Sequence, residues 1–145
     1  MRLHRFLAGF DFTKRELIIS TPEFLHQVLD VLRLKKGDHI ILGNGRDRTM
    51  LAEILELGKK KVRVHLLKNV VPGPRTSRFL YLYLSILKRR NFEFALEKAT
   101  ELGVHAVIPI IARRTVKLNL NHTRLGRVIR EASEQSGRMF VTELF

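Results

Sequence analysis

Lys88-Arg89-Arg90 and Arg113-Arg114 each follow an apolar run that reads as a buried strand, Phe79–Leu87 before the first cluster and Val104–Ile111 before the second. In a parallel sheet, ligands gather beyond the carboxyl ends of the strands, so both basic clusters are expected on one rim. Guanidinium groups there suit phosphate through paired hydrogen bonds, and ammonium groups suit it as point charges. Lys88, Arg89 and Arg114 are the leading candidates for nucleic-acid contact in this half of the chain. Arg124, Arg127 and Arg130 recur along a predicted helix opposite its apolar face and read mainly as a solvated surface. Gln135 and Ser136 fall at the edges of that apolar face, where an amide could orient a base or a neighbouring loop. This end of the helix belongs to the opposite, amino-terminal rim. Gln135 and Arg138 are therefore candidates for supporting an active site, with a purely structural role standing equally beside that. In the first half, Arg2, Arg5, Arg33, Lys35, Lys36, Arg46 and Arg48 could touch a nucleic-acid backbone, giving affinity and salt sensitivity without sequence choice.

Other chemistry is weakly represented. Glu97 and Glu101 are spaced like a carboxylate pair, but with Lys98 beside them they read as an exposed helix face. His4, His26, His39, His65, His105 and His122 show no pairing spacing, and no residue can be assigned as a general base. Gly43-Asn44-Gly45 lacks the Lys-Ser/Thr of a phosphate loop and reads as a tight turn. No metal-ligand cluster is visible, and the absence of cysteine excludes disulfides and thiolate metal sites. Aromatic residues are scarce on the expected surfaces, so folded RNA recognised by shape fits better than a strand held by stacking.

The elements that must position these residues divide at Val71-Pro72-Gly73-Pro74. The whole chain carries 27 Lys+Arg against 14 Asp+Glu, a net charge of +13. The excess falls on both sides of the boundary, +6 over residues 1–72 and +7 over residues 73–145, so two basic folded regions point to a broad polyanion-binding surface. With 45% apolar residues, a folded rather than a disordered chain is expected. No run is long enough to span a membrane, no signal peptide is recognisable, and a cytoplasmic location is expected. Residues 1–71 show short strands at His39–Leu42, Thr49–Leu57 and Val62–Leu66. A helix that Thr21 could cap and Pro22 could open runs through Phe24, Leu25, Val28, Leu29 and Leu32. These elements predict a small β-barrel, followed by a linker at 72–76. Residues 77–145 read as β-α-β-α-β. Asn91 is the expected cap of a helix over Phe92–Leu102, Gly103 its stop, and a second helix runs from about His122 to Ser136 before a strand at Val141–Phe145. A three-stranded parallel sheet is half of a usual doubly wound domain, so we read the chain as a fragment, or as a protein whose sheet something else completes.

The sequence resembles the amino-terminal part of the small-subunit ribosomal RNA methyltransferase E family. The resemblance runs from Arg5-Phe6 through His26–Leu29, Val31–Arg33, Gly37-Asp38 and Gly43–Gly45. It continues in Glu97-Lys98-Ala99-Thr100-Glu101-Leu102-Gly103-Val104, Pro109 and Arg114-Thr115-Val116, and ends in Glu131–Arg138, which contains Glu-Gln-Ser-Gly-Arg. The resemblance implies a PUA-like RNA-binding barrel followed by the first half of a SPOUT-type knotted α/β methyltransferase domain. It also implies S-adenosylmethionine as cofactor, uridine N3 of 16S rRNA in the small ribosomal subunit as target, and a homodimer. The family's Gly-Pro-Glu-Gly-Gly and Leu-Gly/Arg-Ile-Leu-Arg segments, which form the knot and hold the cofactor, are not among these 145 residues. Cofactor-binding residues are thus expected to be missing, and the polypeptide alone to be inactive. A non-enzymatic RNA-binding module and an incomplete gene product are the alternatives.

Overall fold

The computed structural model describes residues 3–70, 78–115, 119–138 and 140–145. The predicted linker at 72–76 lies outside the described residues, as do Arg2 and Val116. Two units are distinguished, Met1–Pro72 and Gly73–Phe145.

In the first unit, alternating apolar residues build a five-stranded sheet from β1 (His4–Leu7), β2 (Glu16–Ile19), β3 (His39–Gly43), β4 (Thr49–Leu57) and β5 (Val62–Asn69). Its order is β1-β3-β4-β5-β2. β1 runs parallel to β3, and the remaining pairs are antiparallel. Phe6 of one edge strand and Leu17 and Ile19 of the other enter the same core as Ile40, Ile54 and Val64. The sheet must therefore curl, and the two register shifts between β4 and β5 let it bend. No ladder joins β1 to β2 among the described residues, so the predicted barrel is a curled sheet rather than a ring closed by hydrogen bonds.

The helix expected after Thr21 is present, but it changes its hydrogen-bond pattern midway. Pro22–His26 forms α1, and Gln27–Val31 widens into a π turn. Pro22 opens α1 as expected, whereas the Thr21 side chain makes no cap bond. Phe24 and Val28 still reach the core, which is what the apolar spacing registers. After this turn Arg33 adopts a left-handed φ of 52°. Asn44 holds the β3–β4 turn by accepting the backbone N–H groups of Arg46, Asp47 and Arg48.

The second unit places β6 (Tyr81–Ser85), β7 (Ala106–Ile110) and β8 (Glu143–Leu144) side by side in that order, all parallel. α2 (Arg89–Leu102) and α3 (His122–Ser136) form the crossovers. α2 starts earlier than expected, because extended Lys88 occupies the cap position. Asn91 is inside the first turn and donates its backbone N–H to the Lys88 carbonyl at 2.9 Å. Gly103 ends α2 at φ +90°, and its N–H reaches the Ala99 and Thr100 carbonyls. α3 has the expected bounds, with the Asn121 side chain accepting the Arg124 N–H.

Two right-handed crossovers made in the same direction put both helices on one face of the sheet. Leu82, Leu84, Val107 and Leu144 meet Phe92, Leu96, Leu125 and Ile129 in one core. On the other face Tyr81 is 51% exposed, Tyr83 66% and Phe145 66%. The continuous apolar run Phe79–Leu87 had implied a strand buried on both faces. The observed strand is shorter and alternates, because no described element packs on its second face.

Candidate functional site

Parallel register levels the strands at their carboxyl ends. Ser85 stands opposite Ile110, and the Ile86 N–H donates to the Ile110 carbonyl at 3.0 Å. From these two ends the chain turns directly into the basic clusters. Lys88, Arg89 and Arg90 form the exposed start of α2. Arg113 and Arg114 are exposed in a turn held by the Ala112 N–H donating to Thr115 Oγ1 at 2.7 Å. The structure thus brings Lys88, Arg89 and Arg114 to one rim.

The first turns of α2 and α3 are tied together at this rim. Arg124 Nε and Nη2 donate to the two carboxylate oxygens of Glu93 at 2.6 and 2.9 Å, and Arg89 approaches the same carboxylate at 3.6 Å. Arg124 is therefore an interhelical strut on the exposed stripe that it shares with Arg127 and Arg130. Its partner lies 31 residues away on another helix, which helical spacing does not reveal. The hydrogen bonds from Arg124, and then its charge, hold the Glu93 carboxyl below the usual carboxylate range. A group with a lowered folded-state pKa stabilises the fold above its ordinary pKa, and loses that contribution as pH falls toward the folded-state value. Wild type should be more heat-stable than Glu93→Gln at neutral pH, and the two should converge on acidification through that window. Melting curves at stepped pH would check it, and a difference that persists at the acid end would refute it.

Beneath the rim lies a cavity of about 130 Å³. Leu87, Phe92, Leu120 and Leu125 form its apolar lining, and Arg89, Glu93, Asn119 and Asn121 its polar edge. Sequence reasoning missed it because its walls come from two helices and the segment before α3. The one local signal was an asparagine three residues ahead of Arg124, the spacing of a helix cap.

Gln135 and Arg138 do not join this rim. Gln135 is exposed at the far end of α3. Arg138 Nε and Nη2 donate to the Glu101 carbonyl at 3.0 and 2.9 Å, where α2 ends and its dipole favours a cation. Glu97 and Glu101 both pair with Lys98, at 2.9 and 2.8 Å, as an ion-paired helix surface. In the first unit, Arg33 and Lys35 lie exposed in the loop after the π turn. Arg5, on β1, is half-buried, and its Nε is buried without a hydrogen-bond partner. His105 packs against Phe79 and Tyr81, with ring centroids 4.5 and 5.5 Å away. With Tyr83 exposed beside them, surface aromatics are more plentiful than the sequence suggested. Among the described residues, no group of three or more His, Cys, Asp or Glu could hold a metal ion, and no helix is long and apolar enough to cross a membrane.

Comparison with known proteins accounts for both units. A family model described as an RNA methyltransferase domain matches residues 74–145, and one described as an RNA methyltransferase PUA domain matches residues 29–67. The chain is 36% identical over 121 residues to ribosomal RNA small subunit methyltransferase E of Rickettsia conorii, covering 83% of this chain and 49% of that protein. A methyltransferase of Legionella pneumophila, solved with its bound cofactor SAM, superposes with a TM-score of 0.87 at 27% identity, covering 100% of this chain and 62% of that one. Ribosomal RNA small subunit methyltransferase E of Neisseria gonorrhoeae, bound to S-adenosyl methionine, gives a TM-score of 0.84 at 25% identity, covering 99% and 62%. A PUA domain joined to a mixed α/β unit defines an RNA methyltransferase class of protein. Within that class, the chain belongs to the ribosomal RNA small subunit methyltransferase E family. It spans about half the length of the curated relatives it matches.

Proposed function

We propose that the protein serves methyl transfer from S-adenosylmethionine to uridine N3 in 16S rRNA of the small ribosomal subunit, in the cytoplasm and as a homodimer. The observation that carries this reading is the pair of basic clusters set level beyond the carboxyl ends of β6 and β7, in a chain of this family. In this reading residues 1–71 are the PUA-like RNA-binding barrel, 72–76 the linker, and 77–145 the first half of a SPOUT-type domain. Arg5, Arg33 and Lys35 on the barrel, with Lys88, Arg89 and Arg114 on the rim, contact RNA phosphates. They position the RNA, and positioning carries most of the work when the methyl donor is a sulfonium. Arg138 supports the site from the opposite rim by anchoring the end of α2, and Gln135 offers its free amide to a neighbouring segment.

The cavity beneath the rim does not by itself fit the cofactor. The cavity of about 130 Å³ is well below the roughly 300–1,000 Å³ that encloses ligands of that size. We expect residues 1–145 by themselves to bind small-subunit RNA and to transfer no methyl group. Incubation with labelled S-adenosylmethionine and unmethylated small-subunit RNA tests this, and robust incorporation would overturn the division of labour.

A further inference from the structure

The cavity between the first turns of α2 and α3 has no role in the proposal above, and its size and lining are specific. An apolar cavity of about 150 Å³ takes one benzene ring. At about 130 Å³ this one is of the size that takes a single six-membered ring. Phe92 and Leu125 close its floor, and Leu87 and Leu120 complete an apolar slot for a flat ring.

The polar edge suits a ring that carries carbonyl and N–H groups. Asn121 Oδ1 is spent on the Arg124 N–H at 3.0 Å, which leaves its Nδ2 to donate to a carbonyl. The Asn119 amide, with no partner among the described residues, offers both a donor and an acceptor. Glu93, which would otherwise repel an RNA strand, is neutralised by Arg124 and Arg89. Arg89 lines the slot and Lys88 precedes it at the start of α2, where the two would hold a neighbouring phosphate.

We infer that this cavity is a subsite for one unstacked pyrimidine base of the RNA. The inference rests on the RNA-methyltransferase reading. It fits what that reading demands, since N3 lies on the pairing edge of uracil and the RNA there must be unpaired, with bases free to splay into the protein.

The test uses nucleosides, which lack phosphate and so do not report on the basic rim. Uridine, cytidine and adenosine are titrated into the isotopically labelled full chain while backbone amide resonances are followed. Uridine and cytidine should give saturable shifts confined to residues 87–93 and 119–125, with adenosine at least fivefold weaker. Leu87→Trp fills the slot from a position that is already 39% exposed. It should weaken uridine binding at least tenfold while leaving the melting temperature and the shifts caused by inorganic phosphate at Lys88 and Arg89 unchanged. Asn119→Ala, which leaves the apolar slot intact, should weaken uridine several-fold. Shifts elsewhere, equal binding of adenosine, or undiminished binding by Leu87→Trp would overturn the subsite. If uridine binds as described but small-subunit RNA proves not to be the substrate, the subsite stands and the reaction reading falls. The reverse pattern removes the subsite alone.

Discussion

Raising salt from 50 to 200 mM should weaken binding of small-subunit RNA to this chain by about 10³-fold. The figure follows from counterion release: each neutralised phosphate contributes about 0.7 to 0.9 to the slope of log affinity against log salt. Six contacts, from Arg5, Arg33, Lys35, Lys88, Arg89 and Arg114, give a slope of about −4 to −5. Removing any one charge should reduce the slope by about one. Arg89→Ala and Arg114→Ala should each show this reduction, because both residues are exposed. Filter binding across a salt series checks this. A nearly flat dependence would remove the phosphate-contact reading of all six residues, even with the net charge of +13.

The second large effect is structural. Gly103→Val should destabilise the second unit by about 3 kcal/mol, combining a left-handed backbone that costs a side chain about 1–2 kcal/mol with disrupted hydrogen bonds to a charged group. Gly103 sits at φ +90°, and a Cβ there would run into the Arg138 guanidinium. That guanidinium makes two hydrogen bonds to the Glu101 carbonyl, so it cannot move aside without giving them up. Two residues of the family-like segments, Gly103 and Arg138, are thus parts of one device that closes the end of α2. Arg138→Met, which keeps an unbranched stem and loses the hydrogen bonds, should cost less than Gly103→Val. Denaturant unfolding of both variants measures the order, and equal stability of Gly103→Val and wild type would contradict the account.

Some of this was legible in the sequence because it is local. α3 matched its expected bounds, since its apolar residues repeat at helical spacing and Gly137 stops it. β4 coincided with Thr49–Leu57, bounded by turns on both sides. β1 and β2 were not foreseen. They are four residues each, and their pairing with β3 and β5 is set by distant parts of the chain. The π turn after His26 escaped because apolar spacing does not separate helical hydrogen-bond patterns. The misjudged burial of β6 has one cause: apolar composition reports that a strand wants cover, not that cover is present. At the candidate site, the basic rim followed from topology and was legible. The Glu93–Arg124 strut, the Arg138 anchor and the cavity beneath the rim depend on pairings 31 and 37 residues apart or on walls from several segments. Lacking a local pattern, they needed coordinates.

The central claim is that this protein serves methylation of uridine N3 in small-subunit ribosomal RNA. The most direct measurement is mass spectrometry of nucleosides from small-subunit RNA of cells with and without the gene that encodes this chain. The account predicts that 3-methyluridine disappears without the gene and returns when it is restored. An undiminished level of 3-methyluridine in its absence would contradict the account.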